Sequence, residues 1–271
     1  MDLGLKGKVA VVTAATANIG RGIALELASE GVKLVGVGRD ADAGARLVAT
    51  AKERGAADAV FVQADLLDRS APARIVTEAE KLGDIDVLIN NLGGNVDTGC
   101  FFVDSDPDLW EADMDLNFGT LLRMTQPVLK GMVARKRGSI VNVGSTAGLV
   151  GDYMLPVYSA MKGAVHSFTK VLAKEVGQHN VRVNAIAPWA TFSTSPEAYS
   201  SGSRFHPETG IFTKPVANTT AEDNAIRQRR SFVGKPFATP EELACVVALL
   251  ASDRGSFLTG EVWPVDGGVL L

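Results

Sequence analysis

The stretch K-V-A-V-V-T-A-A-T-A-N-I-G, residues 8–20, decides the fold of this chain. Its opening run, residues 8–13, is apolar and rich in valine, which predicts a strand buried on both faces. Small residues follow and predict a tight turn, and the amphipathic segment at residues 18–30 predicts a helix. A strand, a short turn and a helix in this order are typical of parallel strands joined by crossover helices.

The same alternation continues along most of the chain. Strands are predicted at residues 8–13, 33–38, 59–63, 86–90, 139–143, 181–186 and 261–265, and helices at residues 18–30, 41–54, 71–81, 106–134, 156–177 and 241–251. Asp106 marks the start of the fourth helix, because a side-chain acceptor there precedes a proline at the first helical position. The sequence therefore predicts an α/β fold: a three-layer, Rossmann-type, doubly wound parallel sheet of about seven strands with helices on both faces.

One segment, residues 195–235, breaks this rhythm. It is rich in Ser, Thr, Pro, Gly and charged residues and is too long for an ordinary connection. Because it follows the sixth predicted strand, it would leave the sheet at the carboxyl ends of the strands, where open α/β sheets bind ligands. We therefore interpret residues 1–271 as a single dinucleotide-binding domain with a substrate lid at about 195–235, and a disordered surface loop is the alternative. A helix within residues 221–232 is possible.

Composition and charge exclude several classes of partner. The 271 residues carry 27 basic and 31 acidic side chains, for a net charge of -4. No basic field is available to attract nucleic acid phosphates or an anionic membrane surface. No stretch approaches the roughly 18 continuous apolar residues of a membrane span, and the start lacks a basic region before an apolar run. We expect a soluble, cytoplasmic protein without nucleic acid or membrane partners.

The cysteines and histidines do not form a metal-binding pattern. Cys100 and Cys245 are far apart in sequence, and the three histidines at positions 166, 179 and 206 lack the spacing of a zinc site. Cys245 lies in an apolar run and is expected to be a core thiol. We predict no metal site.

Ser145, Tyr158 and Lys162 are the candidates for proton chemistry. Tyr158 and Lys162 are four residues apart, so on a helix they lie on one face, one turn from each other. A tyrosine with its usual pKa of about 10 would need a shift of roughly 2 to 3 units to act near neutrality, and a nearby ammonium favours the phenolate. Ser145 follows the fifth predicted strand and could reach the same substrate oxygen. The alternative is an ordinary amphipathic pair whose amine reaches water.

Four turns at the ends of predicted strands carry residues that suit a dinucleotide. The first turn contains Gly20 among small residues, so that backbone amides and a helix N-terminus could approach a pyrophosphate. Position 38 is a glycine where an NAD-dependent enzyme usually carries an acid, and the adjacent Arg39 could pair with a 2'-phosphate. Each turn alone could be a plain tight turn. Together they favour NADP(H) over NAD(H).

These residues and their order resemble the short-chain dehydrogenase/reductase family. The resemblance covers residues 8–268 except the 195–235 segment, and its motifs are the Asn-Asn-x-Gly run at 90–93, Asn117, the Ser145, Tyr158 and Lys162 set, the Asn-x-x-x-Pro run at 184–188 and the Asp-Gly-Gly tail at 266–268. Such a resemblance implies hydride transfer between a nicotinamide and a ketone or secondary alcohol. Tyr158 would be the general acid and base, Ser145 would hydrogen-bond the substrate oxygen, Lys162 would bind the nicotinamide ribose and lower the pKa of Tyr158, and Asn117 would hold a relay water.

The chain departs from the family pattern at five positions. Ala14 and Asn18 replace the first two glycines of the turn, while Leu92 replaces an alanine, Gly144 a serine and Trp189 a glycine. Alanine is a mild change where φ is negative, and asparagine tolerates left-handed geometry. We expect cofactor binding to be kept with altered contacts, and Trp189 to shape the substrate pocket.

The resemblance implies the remaining site residues. The predicted cofactor-binding residues are Thr13, Thr16, Asn18, Ile19, Gly20, Arg39, Asp65, Leu66, Asn91, Gly93, Tyr158, Lys162, Pro188 and Thr191. The predicted substrate pocket contains Leu92, Asn95, Thr146, Tyr153, Met154, Trp189 and His206. Their mix of apolar and aromatic groups favours a small, moderately apolar or cyclic carbonyl compound. We expect His166, one turn beyond Lys162, to be a packing residue.

Two other functions stay open at this point. A protein of this fold could bind NADP(H) as a regulator or scaffold without turnover, since fold does not fix function. Enoyl reduction fits less well, because the enoyl reductases of the family space Tyr and Lys more widely. The resemblance also implies a homodimer or homotetramer built on the helices at 106–134 and 156–177.

Overall fold

The computed structural model describes residues 2–96, 99–199, 220–223 and 231–271. Its strands are β1 (Val9–Val12), β2 (Lys33–Gly38), β3 (Asp58–Gln63), β4 (Ile85–Asn90), β5 (Gly138–Val143), β6 (Val181–Pro188) and β7 (Val262–Val265). Its helices are α1 (Asn18–Ser29), α2 (Ala41–Glu53), α3 (Ala71–Glu80), α4 (Trp110–Met114), α5 (Thr120–Arg135), α6 (Ala147–Val150), α7 (Pro156–Val176) and α8 (Pro240–Ala251). The seven strands form one parallel sheet in the order β3-β2-β1-β4-β5-β6-β7.

Apolar cores lie on both faces of this sheet. Side chains of α1, α2 and α8 form one core, and side chains of α3, α5 and α7 form the other. Alternate residues of β1 serve the two cores, with Ala10 and Val12 on the first and Val9 and Val11 on the second. The predicted three-layer arrangement, with a first strand buried on both faces, is confirmed.

The strand order creates a crevice at the carboxyl ends of β1 and β4. β1 pairs with β2 on one side and β4 on the other, so the connections that follow β1 and β4 diverge to opposite faces. Thr13 joins the two strand ends, because its hydroxyl oxygen accepts hydrogen bonds from the N–H groups of Asn91 at 2.8 Å and Leu92 at 3.1 Å. Thr13 therefore holds together the ends of β1 and β4 at the point where the strand order reverses.

The predicted helix over residues 106–134 begins as expected but is not regular. Asp106 accepts a hydrogen bond from the Asp108 N–H at 2.9 Å, ahead of a 3-10 turn at Pro107–Leu109. Between α4 and α5 the chain forms a π-helical turn, Asp115–Gly119, closed by the Thr120 N–H bonding to the Asp115 carbonyl. The prediction of one continuous helix was wrong here, because the wider turn accommodates Asn117, whose side chain bonds outside the helix.

Two further expectations concern Cys245 and the segment at 195–235. Cys245 is exposed, so its assignment as a core thiol was wrong: α8 packs on α1 through Leu243 and Val247, and Cys245 lies on the other side of the helix. Most of the predicted lid, including His206 and much of the possible helix at 221–232, lies outside the described residues, and the lid stays a prediction. Among the helices that the structure describes, none is long and apolar enough to cross a membrane.

Candidate active site

Helix α7 brings Tyr158 and Lys162 together at the crevice. Pro156 opens the helix, and the two side chains follow one turn apart, with Lys162 Nζ 5.7 Å from the centre of the Tyr158 ring. Tyr158 is half-buried, whereas only 3% of Lys162 is exposed. The amine does not reach water, so the alternative of an ordinary amphipathic pair is wrong.

Burial determines the charge state of Lys162. Nζ donates a hydrogen bond to the Val143 carbonyl at 2.9 Å, at the end of β5. Desolvation lowers the pKa of Lys162 to about 8, and the negative charge of Asp113 opposes that shift. The side chain is therefore mostly an ammonium at neutral pH, and this positive charge favours the phenolate form of Tyr158.

Ser145 lies just beyond the end of β5, in the same cleft. Its Oγ accepts a hydrogen bond from the Ala147 N–H at 3.1 Å, which fixes the side chain at the start of α6. Ser145, Tyr158 and Lys162 all line one cleft of about 810 Å³. The structure thus brings together the three side chains that the sequence singled out for proton chemistry.

His166 fills the space behind Ser145. Only 5% of its surface is exposed, and its Nε2 lies 3.5 Å from the Ser145 main-chain nitrogen. A Cβ at position 144 would collide with this Nε2, which explains why Gly144 stands where the family has a serine. Burial lowers the pKa of His166 to about 4, so the imidazole is neutral at physiological pH. This placement agrees with the expected packing role.

Asn117 joins the π-helical turn to the loop after β4. Its Nδ2 donates to the Gly94 carbonyl at 2.7 Å and to Asp113, and its Oδ1 accepts from the Gly94 N–H at 2.9 Å. Both polar atoms of the side chain already bond to protein groups. A relay water at Asn117, which stays a prediction, would use the main chain or the second lone pair of Oδ1.

The turn after β1 adopts an unusual backbone at both replaced glycines. Ala14 has φ 50° and Asn18 has φ 40°, both in the left-handed region. The condition under which Ala14 was expected to be harmless, a negative φ, is therefore not met. A Cβ on Gly20 would overlap the Ala14 carbonyl and the Asn91 amide, so this third position needs glycine. Helix α1 has no side-chain cap and no acid in its first turn, which leaves its amides available to an anion.

Asn18 also bridges the cleft, a role that its sequence position did not indicate. Its Nδ2 donates to the Thr191 carbonyl, beyond β6, at 2.9 Å. Its Oδ1 is buried and has no hydrogen-bond partner among the described protein groups. A buried acceptor without a partner, beside an uncapped helix N-terminus, fits a bound dinucleotide.

The end of β2 forms the outer part of the cleft. Arg39 is exposed there, and its main-chain carbonyl accepts a hydrogen bond from Gln63 Nε2 at 3.0 Å. Asp40 caps α2 by accepting from the Ala43 N–H at 2.9 Å. The carboxylate of Asp40, next to Arg39, is therefore engaged in a hydrogen bond within the protein.

Most predicted site residues line this cleft. They are Thr16, Asn18, Ile19, Gly20, Arg39, Asp65, Leu66, Asn91, Leu92, Gly93, Asn95, Ser145, Tyr158, Lys162, Pro188, Trp189 and Thr191. Thr13 lies beneath the turn, and Thr146 and Met154 are buried away from the cleft. Tyr153 lies further out, edge-on to Phe101 at 5.7 Å and donating its hydroxyl to Asp223 at 3.1 Å. His206 is outside the described residues.

Several lining residues were missed, namely Val96, Asp152 and Phe192, while Leu155, in the same stretch as Tyr153, also lines the cleft. Asp152 lies between Ser145 and Tyr158 in the sequence, and this proximity was the available signal. Phe192 had no such signal, because its position depends on the β-bridge between Thr191 and Ala238. Within the described residues, no three His, Cys, Asp or Glu side chains are grouped as a metal ion would require.

Comparisons with known proteins agree with this geometry. The family model described as short chain dehydrogenase matches residues 8–201. The 3-oxoacyl-[acyl-carrier-protein] reductase of Pseudomonas aeruginosa is 31% identical over 273 residues, covering 99% of this chain and 100% of the relative. The 2-(S)-hydroxypropyl-CoM dehydrogenase 3 of Xanthobacter autotrophicus is 33% identical, covering 98% of this chain and 97% of the relative.

A solved structure gives the same result. L-Sorbose reductase from Gluconobacter frateurii, solved in complex with NADPH and L-sorbose, matches with a TM-score of 0.83 and 28% identity, over 100% of this chain and 99% of that one. Fold, site geometry and sequence comparisons lead to one conclusion: the chain belongs to the short-chain dehydrogenase family of oxidoreductases.

Proposed function

We propose that this protein is an NADP(H)-dependent oxidoreductase that interconverts a ketone and a secondary alcohol. One observation carries the proposal: Ser145, Tyr158 and Lys162 line the same cleft as the small-residue turn after β1 and Arg39. Proton chemistry and dinucleotide binding would therefore meet in one place. The relatives whose names describe reductases and dehydrogenases support this reading.

Tyr158 is the proposed acid and base. In the reductive direction it gives its phenolic proton to the substrate oxygen as the C=O bond becomes an alcohol, while Ser145 Oγ donates a hydrogen bond to the same oxygen. In the oxidative direction the phenolate takes the proton back. A bound nicotinamide supplies or accepts the hydride at the substrate carbon. Donors fixed in advance by the Ala147 contact and by α7 stabilise the charge that develops on that oxygen.

Lys162 is proposed to tune Tyr158. Its buried ammonium lowers the cost of forming the phenolate one turn away. Its position at the end of β5 also suits a hydrogen bond to the nicotinamide ribose. Pro188 and Thr191, at and beyond the end of β6, would flank the nicotinamide.

Arg39 is the basis for preferring NADP(H). It is exposed at the end of β2, next to a glycine, and the neighbouring Asp40 is engaged in capping α2. A guanidinium in this place can pair with a 2'-phosphate. The L-sorbose reductase structure, which contains NADPH, supports the same preference.

The proposed substrate is a small, moderately apolar or cyclic carbonyl compound. Leu92 and Trp189 line the cleft beside Tyr158, and Leu155 and Phe192 extend this apolar and aromatic wall. Asn95, which is buried, adds a polar group to it.

We also propose a homodimer or homotetramer through the outer faces of α5 and α7, measurable by light scattering after gel filtration.

The test is oxidation of NADPH in the presence of a panel of ketones, with NADH and the R39D variant compared in the same assay. We expect Y158F to bind NADPH as the wild type does, by fluorescence, and to lose turnover by roughly 10³-fold or more. Turnover by Y158F at the wild-type rate would overturn the role of Tyr158. Preference for NADH unaffected by R39D would overturn the cofactor assignment. Binding without any turnover across the panel would favour the alternative, a non-catalytic NADP(H)-binding regulator.

A further inference from the structure

Asp113 is a buried carboxyl group beside the reacting side chains, and the scheme above gives it no role. It lies on α4 with 0% of its surface exposed. Asn117 Nδ2 donates to Asp113 Oδ1 at 3.0 Å and to the Asp113 carbonyl at 2.9 Å. The Val96 N–H lies 3.3 Å from the same Oδ1. One carboxyl group therefore holds both the Asn117 side chain and a loop that lines the cleft.

The carboxyl group and the Gly94 main chain together set the direction of the Asn117 amide. Because a carboxylate accepts hydrogen bonds, the Asn117 NH₂ group faces Asp113, and Oδ1 faces the Gly94 N–H. A Cβ at Gly93 would lie 2.9 Å from this Oδ1 and 2.7 Å from Lys162 Nζ. The oriented amide oxygen and the lysine ammonium are thus neighbours across one glycine.

The charge of Asp113 also acts on Lys162, which lies next to Asn117 across Gly93. Burial lowers the pKa of Lys162 to about 8, and the charge of Asp113 acts in the opposite direction. A buried cation is costly unless an opposite charge or good acceptors compensate it. His166, also on α7, is neutral, and Asp115 on the π-helical turn is paired with Arg123 at 2.5 Å. Tyr158 completes the set of titratable groups that this part of α7 presents to the cleft.

We propose that Asp113 is a positioning residue of this active site: its carboxyl group orients the Asn117 side chain, whose Oδ1 neighbours Lys162, and its negative charge supports the Lys162 ammonium. This inference rests on the proposed function in one respect, that Tyr158 and Lys162 are the reacting pair.

The main test is D113N, which keeps the shape and an acceptor for Asn117 but removes the charge. The readout is the absorbance titration of the Tyr158 phenolate in the ligand-free protein, isolated from the other two of the three tyrosines by subtracting Y158F. Without this negative charge Lys162 releases its proton at lower pH, and a neutral Lys162 no longer favours the phenolate, so the Tyr158 midpoint should rise by about one unit. E111Q removes an exposed acid from the same helix and should leave the midpoint unchanged.

Kinetics give the second readout. The pH profile of alcohol oxidation, which needs the phenolate, should move to higher pH in D113N by the same amount as the midpoint. D113A also removes the carboxyl acceptor, and we expect it to lower kcat by a further factor of about 10 to 100, because Asn117 then keeps only its main-chain bonds. D113E keeps the charge and should keep the midpoint while losing turnover. If D113N does not fold by circular dichroism, D113E decides alone, since a shifted midpoint with full turnover contradicts the proposal.

The two proposals fail in different ways. A wild-type protein without turnover in any assay, but with a midpoint that shifts in D113N, would overturn the proposed function and leave the charge role of Asp113 standing. An active wild type with the same midpoint and pH profile in D113N would overturn the role of Asp113 and leave the proposed function intact.

Discussion

The turn after β1 and the loop after β4 leave the sheet at the same edge and face the same cleft, yet they treat side chains differently. In the turn after β1, Ala14 and Asn18 occupy left-handed positions and their side chains are accommodated. In the loop after β4, Gly93 has no room for a side chain, because Lys162 and Asn117 lie against it. Replacement of glycine is thus tolerated at positions 14 and 18 of the turn, although not at Gly20, and it is not tolerated at Gly93 in the loop after β4.

The difference follows from what lies behind each loop. The loop after β4 contacts the buried Lys162 ammonium and the Asn117 amide, whose positions are fixed by hydrogen bonds to Val143 and Gly94. The turn after β1 borders the open cleft, where Asn18 gains a bond to Thr191. Substitutions on the crowded catalytic side and on the open cofactor side should therefore change activity or stability by different amounts, and in some cases in opposite directions.

The largest effect is expected for Gly93→Ala. The new methyl group would lie 2.7 Å from Lys162 Nζ and 2.9 Å from Asn117 Oδ1, so both must move. Misplacing the ammonium that activates Tyr158 should lower kcat by about 10²-fold or more. The measurement is steady-state ketone reduction together with circular dichroism.

Gly177→Ala is the matched control, since no atom lies within 4 Å of the position of its new methyl group. We expect this variant to keep wild-type turnover. Equal activities of the two variants would remove the contrast between the two sides of the crevice.

A smaller effect is expected from His166, on the crowded side. Its pKa in the folded protein, about 4, lies below the ordinary histidine value of 6.5, so the unfolded chain binds the proton more tightly. Stability is therefore fully present above pH 6.5 and is lost as the pH falls from 6.5 towards 4. Relative to His166→Leu, the wild type should lose about 2 to 3 kcal/mol across this window.

The check is urea unfolding of both proteins at several pH values, with His179→Gln, a surface change outside the core, as the control. Parallel pH dependence of the wild type and His166→Leu would show that His166 is not the group responsible.

The sequence predicted the seven strands, the doubly wound parallel sheet and the grouping of Ser145, Tyr158 and Lys162, because apolar runs alternating with amphipathic segments and helical spacing are local signals. It did not predict the π-helical turn, which depends on Asn117 bonding to Gly94 across the cleft. Nor did it predict that His166 lies against Gly144, although the glycine itself was noted as a departure. Contacts between distant segments decide these features, and single-sequence periodicity carries no record of them.

The smallest effect, and the most selective, comes from restoring the two glycines of the turn after β1. Ala14→Gly relieves a left-handed alanine, which costs roughly 1 to 2 kcal/mol, against a loss of about 0.5 to 1 kcal/mol from the greater entropy of unfolded glycine. We expect a net gain in stability of about 0.5 to 1 kcal/mol, measured by urea unfolding of the ligand-free protein.

Asn18→Gly should have the opposite sign, because asparagine tolerates its backbone conformation and the change removes the bond to Thr191. If both changes stabilise the protein equally, the hydrogen bond from Asn18 to Thr191 contributes nothing to stability. The turn after β1 would then have room for these two side chains without gaining stability from either. If the signs differ, the same two departures from the family pattern have separate origins: one is a strain that the fold carries, and the other is a bond that the fold uses.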